Sequence, residues 1–174
     1  ILLAQAALGL HSEFWKTFAV MIQLGAILAV VVVYFQRLWN VLLALPKSRD
    51  AQWFTLSVII ACLPAVVAAA LLGGLIKEGF ENLALICWSL VIGGVVLLVF
   101  DRLAPKPVDG DAMKLPAWKI ILIGFAQILS LFPGVSRSGS TIVASMLLKI
   151  EKRAAAEFSF FMAIPIMVGA FGKD

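Results

Sequence analysis

Three uncharged apolar runs, 17–35, 54–76 and 82–100, are each 19 residues or longer, and a helix needs about 20 such residues to cross the hydrocarbon core of a bilayer. With 63% hydrophobic and 14% charged residues and a mean hydropathy of +1.06, the chain is too apolar for a soluble domain. It reads as an integral membrane protein. The net charge of +4 is spread over short connections without a basic block or aromatic-basic interleaving, so it carries topology information and excludes a nucleic-acid partner. Cys62 and Cys87 each sit inside an apolar run with no CxxC or Cys/His cluster, as small buried hydrophobes do.

The first run closes at Tyr34, Arg37 and Trp39, an aromatic and basic edge suited to a headgroup boundary, and Pro46 with the charged stretch 47–50 keeps the next connection in water. The second carries Pro64 and Gly73-Gly74, where a kink is expected; membrane helices tolerate these because neighbours re-satisfy the freed backbone. A fourth apolar region behaves differently. Residues 120–136 are broken by Pro133 and Gly134, and a short piece, 141–148, follows before Lys149, Glu151, Lys152 and Arg153. Neither half is long enough to span comfortably. Two half-helices meeting at a loop within the membrane, a re-entrant hairpin over 118–149, account for the pattern, provided the exposed backbone is buried in protein or lines a cavity. A continuous bent helix is the alternative. The expected fold is therefore an all-α polytopic membrane helix bundle with spans at 17–39, 53–76, 82–102 and 154–172 around that hairpin.

Loop charge sets orientation. The connection 37–52 holds Arg37, Lys47 and Arg49 against Asp50, whereas 77–81 is net acidic, so the former is expected in the cytoplasm and the latter outside. Residues 101–119 and 149–153 are net positive. Both then return to the cytoplasmic side, which puts the hairpin tip deep in the membrane and open toward the external face.

The tip reads PGVSRSGST, 133–141, and Arg137 is the only charge between Lys119 and Lys149. An arginine at membrane depth needs an anionic partner or a wet cavity. Gly134 allows a sharp turn, Ser138 or Ser140 can cap the second half-helix, and the hydroxyls of Ser136, Ser138, Ser140 and Thr141 gather round Arg137 with Gly139 between them. Helix N-termini favour phosphate or carboxylate, and a guanidinium fork matches phosphate oxygens. The pattern describes an oxyanion site. In the alternative, Arg137 pairs with a buried carboxylate such as Glu157 and the hydroxyls bond back into the helix.

The string PGVSRSGST, preceded by GFAQ at 124–127 and followed by AAEFSF at 155–160 and AIP at 163–165, closely resembles the second signature region of undecaprenyl-pyrophosphate phosphatases of the bacitracin-resistance type. KTF at 16–18 with IQLGAILA at 22–29 looks like that family's first long membrane helix. The resemblance spans nearly the whole chain. It implies a bacterial inner-membrane, multi-pass enzyme that removes the terminal phosphate of a C55 polyprenyl pyrophosphate and so recycles the lipid carrier for cell-wall synthesis. A divalent cation (Mg2+ or Ca2+) would assist, inverted repeats would each carry a re-entrant hairpin, and a homodimer is a further expectation. On the same basis Arg137 and Ser136 are the catalytic candidates, Ser138, Gly139, Ser140, Thr141 and Gly134 the substrate-binding ones, and Gln23, Gln127 and Glu157 polar groups that could support the site.

The family's first signature, a glutamate-rich stretch of the type EGxTEF followed by a serine-rich turn ending in glycine and histidine, is absent. A fragment is expected on that ground, inactive by itself; the resemblance implies that the acidic, metal-holding and histidine functions come from the missing signature, and no nucleophile, base or metal ligand is assigned in this chain. His11 does not match the signature histidine and reads as an interfacial residue. A shift of 140 residues sets Ala4 on Ala144, Leu8 on Leu148 and Phe18 on Phe158, a faint repeat that places a binding site near the bilayer midplane. The same architecture would serve a polyprenyl-phosphate flippase or another secondary transporter of an anionic substrate, because fold does not decide function; Arg137 with its hydroxyls speaks against a non-catalytic scaffold.

Overall fold

A computed structural model describes residues 3–4, 8–9, 13–103 and 105–171, and these form two compact units, 1–44 and 45–174. No strand occurs among them, only one isolated bridge between Asp109 and Ile150. In the first unit, α1 (Glu13–Val33) and α2 (Phe35–Ala44) meet at Tyr34 with a 68° bend. The apolar stretch 17–39 is thus divided between two helices. His11 and most of the Ile1 to Leu8 half of the faint repeat lie outside the described residues, as does the Gln23 side chain.

The second unit holds the long helices. Ser48 caps α3 (Arg49–Glu81), its hydroxyl accepting from Ala51 N–H at 3.4 Å, with Asp50 in the first turn where the helix dipole favours an acid. Pro64 sits within α3, and having no N–H it leaves the Ile60 carbonyl without its helical partner. A single residue, Asn82, separates α3 from α4 (Leu83–Leu103). Its backbone N–H closes α3 onto Gly79 O (3.2 Å) while its side chain accepts from Leu85 N–H (3.1 Å) to open α4. Both helices are long and apolar enough to cross a membrane, and α4 leaves Leu90, Val91, Val95 and Leu98 exposed, as a lipid-facing helix does.

A short 3-10 turn, Ala112–Lys114, then leads into α5 (Ala117–Ala126), which tightens into a 3-10 segment at Gln127–Leu131. After the loop 132–136 come α6 (Arg137–Leu147) and α7 (Lys152–Phe171). The core lies where α3, α5 and α7 meet: Phe54 packs edge-on against Phe158 (6.1 Å) and Phe161 (5.0 Å), and Ile120 and Ile123 are fully buried. A Cβ on Gly124 would stand 2.7 Å from Ala61 O, so glycine there lets α5 touch the α3 backbone, as small residues do between membrane helices.

Two ends are distinct. At one, the connections 45–50, 101–116 and 149–152 gather: Lys114 reaches Asp50 (3.9 Å), Lys152 pairs with Asp101, and Trp53 Nε1 donates to Leu115 O (3.0 Å). There too the base of the hairpin is closed. Lys119, at the start of α5, donates to Asp109 Oδ2 at 2.5 Å and to Leu148 O, just past the end of α6, at 2.6 Å. Val108 N–H and Asp109 N–H donate to Lys149 O, and Glu151 N–H to Asp109 O. The two arms 117–131 and 137–147 therefore leave and return at one level, the geometry of a helical hairpin. A continuous bent helix is excluded by that closure. At the other end the hairpin tip meets the α3–α4 corner: a Cβ on Gly79 would lie 3.2 Å from the Pro133 ring, and one on Gly134 2.6 Å from Ile86 O.

Candidate active site

The tip is built by three local devices. Pro133, fully buried, ends the first arm. Gly134 takes φ +87°, a left-handed value that glycine adopts without a steric penalty, and its missing side chain admits the α4 backbone at Ile86. Ser136 then caps α6, its Oγ accepting from Gly139 N–H at 3.1 Å. The cap expected at Ser138 or Ser140 thus falls earlier, because the turn at Gly134 returns the chain to helical geometry by Arg137.

Most of the motif's hydroxyls are committed within the fold. Ser140 Oγ donates to Ser136 O (3.0 Å), while Thr141 Oγ1 lies within bonding distance of Arg137 O, Ser138 O and Ser159 Oγ, the last at 2.6 Å across to α7. Thr141 is 1% exposed. Three groups of the first turn of α6 are not spent in this way. The backbone N–H groups of Arg137 and Ser138 have no acceptor among the described residues, as first-turn donors do; Ser138 Oγ has only a 3.4 Å approach to Ser136 Oγ. The third is Arg137 itself. Its guanidinium is part-buried and makes no ion pair or hydrogen bond among the described residues, Glu157 included. Cys62 on α3 lies nearby.

Gln127 is 1% exposed, and neither Nε2 nor Oε1 has a partner among the described residues. It stands one turn beyond Gly124, on the side of α5 that meets α3 at Ala61. Glu157 lies on α7, part-buried. Sequence reasoning passed over Ser159, which secures Thr141, and Lys119 with Asp109, which closes the hairpin base. A serine in an apolar run and a lysine at a loop edge carry no signal of such contacts. On the opposite face of α6 from Thr141 a cavity of ≈ 560 Å³ opens toward α4, and Ser136, Gly139 and Ser140 stand on its wall. Among the described residues no three of His, Cys, Asp or Glu come together to hold a metal ion.

Fold and tip together define a class: an all-α membrane helix bundle in which a helical hairpin presents, at its tip, a helix N-terminus and an arginine that has no ion pair among the described residues. The model of the family described as bacitracin resistance protein BacA matches residues 1–174, and the chain belongs to that family. It is similar to an undecaprenyl-diphosphatase of Caulobacter sp. (strain K31), 57% identical over 177 residues that cover 100% of this chain and 66% of the relative. Undecaprenyl-diphosphatase 1 of Mesorhizobium japonicum is 54% identical and an undecaprenyl-diphosphatase of Rhodopseudomonas palustris (strain BisA53) 51% identical, each over 175 residues, 100% of this chain and 65% of theirs. The chain spans just under two thirds of the length of these relatives.

Proposed function

We propose that the protein of which this chain is part hydrolyses undecaprenyl diphosphate. Water adds to the terminal phosphorus, the bridging P–O bond breaks, and the products are the lipid monophosphate and inorganic phosphate. The observation that carries the reading is that Arg137, in the first turn of α6, has no ion pair among the described residues, and that the backbone N–H groups of Arg137 and Ser138 have no acceptor among them. Phosphoryl transfer depends on positioning and on stabilising charge at the transferring group. Arg137 and the N–H groups of 137 and 138 would bind the diphosphate, with Ser138 as a further donor. Ser136 would act by fixing the helix end and Thr141 by anchoring it to α7. Gln127 and Glu157 are proposed as supporting polar groups. Among the described residues no three of His, Cys, Asp or Glu gather as ligands for the divalent cation, Mg2+ or Ca2+, proposed to assist.

Placement follows the charge pattern: the end bearing Asp50, Lys114 and Lys152 would face the cytoplasm and the hairpin tip the outside of the bacterial inner membrane. The relatives' names support the substrate; the Arg137 guanidinium, with no ion pair among the described residues, supports the anion. The test is kcat and KM for phosphate release by the full-length protein and by Arg137→Lys and Arg137→Ala. A preorganised donor to transition-state charge contributes on the order of 3 kcal/mol, roughly 100-fold in rate. The alanine variant should lose at least that much, and lysine should recover only a small part because it restores charge without the fork. Near-native kcat in a folded Arg137→Ala protein would refute the reading, and transport of the lipid without phosphate release would replace it by a flippase.

A further inference from the structure

We infer that the groove between α4 and α6 seats the first isoprene units of the lipid's hydrocarbon chain, an inference that rests on the function proposed above. The cavity of ≈ 560 Å³ lies within the roughly 300–1,000 Å³ usual for small-molecule sites. It runs along α6 from Ser136 at the tip to Leu147 near the base, about 16 Å at a helix's rise per residue. Ile92, Gly93 and Val96 on α4 face it from one side and Gly139, Val143 and Leu147 on α6 from another, and Ala126, Leu129 and Phe132 of the first arm also line it.

Two features point to an alkyl chain rather than a polar ligand. The lining is apolar apart from Ser89, Ser136 and Ser140, and Ser140 Oγ already donates to Ser136 O. The groove also begins at the anion cradle. Ser136 both lines it and caps the helix whose free N–H groups hold the charge. An amphiphile with a diphosphate at the cradle therefore has its chain at the groove's upper end, and following the groove lets the chain shed water along its length.

Gly93 and Gly94 make the test. A Cβ on either meets nothing within 4 Å, but only Gly93 lines the groove. In the full-length protein, phosphate release from an eleven-isoprene and from a two-isoprene diphosphate is measured for Gly93→Leu and Gly94→Leu. Gly93→Leu should lower kcat/KM for the long substrate at least tenfold, through KM, and change the short one less than twofold; Gly94→Leu should move neither by more than twofold. Equal losses on both substrates, or no loss, would overturn the groove while leaving the diphosphatase reading intact. Photolabelling gives an independent measure, with a diazirine on the second to fourth isoprene unit of a polyprenyl diphosphate. Adducts on 85–97, 126–135 and 136–147 are expected even from an inactive preparation. Adducts elsewhere, or none because another helix of the longer chain or a second copy fills the groove, would overturn it. Wild-type protein that releases no phosphate from either substrate but labels in the groove would remove the enzyme reading alone.

Discussion

Replacing Lys119 by methionine should unfasten the base of the hairpin. The ammonium is held at 2.5 Å by Asp109 and at 2.6 Å by Leu148 O, with the lysine side chain 9% and the aspartate 30% exposed. Removing one member of a buried pair costs about 3–5 kcal/mol, whereas an exposed pair contributes about 0–1 kcal/mol. Asp109 retains nearly a third of its access to water, so Lys119→Met should fall between these limits, at about 2–3 kcal/mol. Methionine keeps the stem's volume, and the loss reports the charge and its two acceptors. Equilibrium unfolding of the full-length protein in mixed micelles would be compared for Lys119→Met, Asp109→Asn and the double variant. The double should be less destabilised than the sum of the singles by about 1–2 kcal/mol, as for groups in direct contact. The amides of Val108 and Glu151, which bond across the same closure, should exchange hydrogen faster in Lys119→Met while those of α3 keep their rates. Single variants within about 0.5 kcal/mol of wild type, or strictly additive losses, would refute the closure as a source of stability.

Three further outcomes are expected. Gly134→Val should cost about 2–3 kcal/mol in the same unfolding assay, since its φ of +87° is strained for a β-branched residue and the new Cβ would lie 2.6 Å from Ile86 O. Gly124→Ala should destabilise by about 1–3 kcal/mol by pushing α5 off Ala61, while Gly73→Ala, with open space around it, should be neutral or stabilising by up to about 1 kcal/mol. In a background with Cys62 and Cys87 replaced by alanine, single cysteines at Ser48 and Gly110 should be shielded from impermeant maleimide in intact cells and one at Gly79 labelled; the reverse pattern would invert the orientation.

The long helices were legible because uncharged runs of membrane length leave the backbone few other ways to satisfy its hydrogen bonds. The hairpin was legible from Pro133 and Gly134 breaking an apolar run that charges flank on both sides. What escaped depended on distant neighbours. The bend at Tyr34 falls where the sequence has neither proline nor glycine, so no local breaker announces it. The extension of α3 to Glu81 passes Lys77 and Glu78, charges that end an apolar run without ending a helix. Ser136, rather than a later serine, became the cap because the turn before it is held against Ile86, some fifty positions away in the chain. Lys119 reads as a solvated loop-edge lysine until Leu148, 29 residues on, is seen above it. At the motif the residue types pointed to an anion, yet only the hydrogen-bond pattern separates Arg137 and Ser138, whose side chains make no close bond among the described residues, from Ser140 and Thr141, which the fold consumes.

Asn82, the one residue between α3 and α4, leaves that corner without slack. A helix turns about 100° per residue, so inserting a single amino acid after Asn82 would swing all of α4 by that angle. Ile86 and Ser89, against which the Gly134 turn rests, would face away from the tip, and the wall containing Gly93 would rotate with them. The corner is thus a phase-setting joint, and length changes that the 104–111 connection could absorb at the opposite end would, here, dismantle the cradle and its groove in one step.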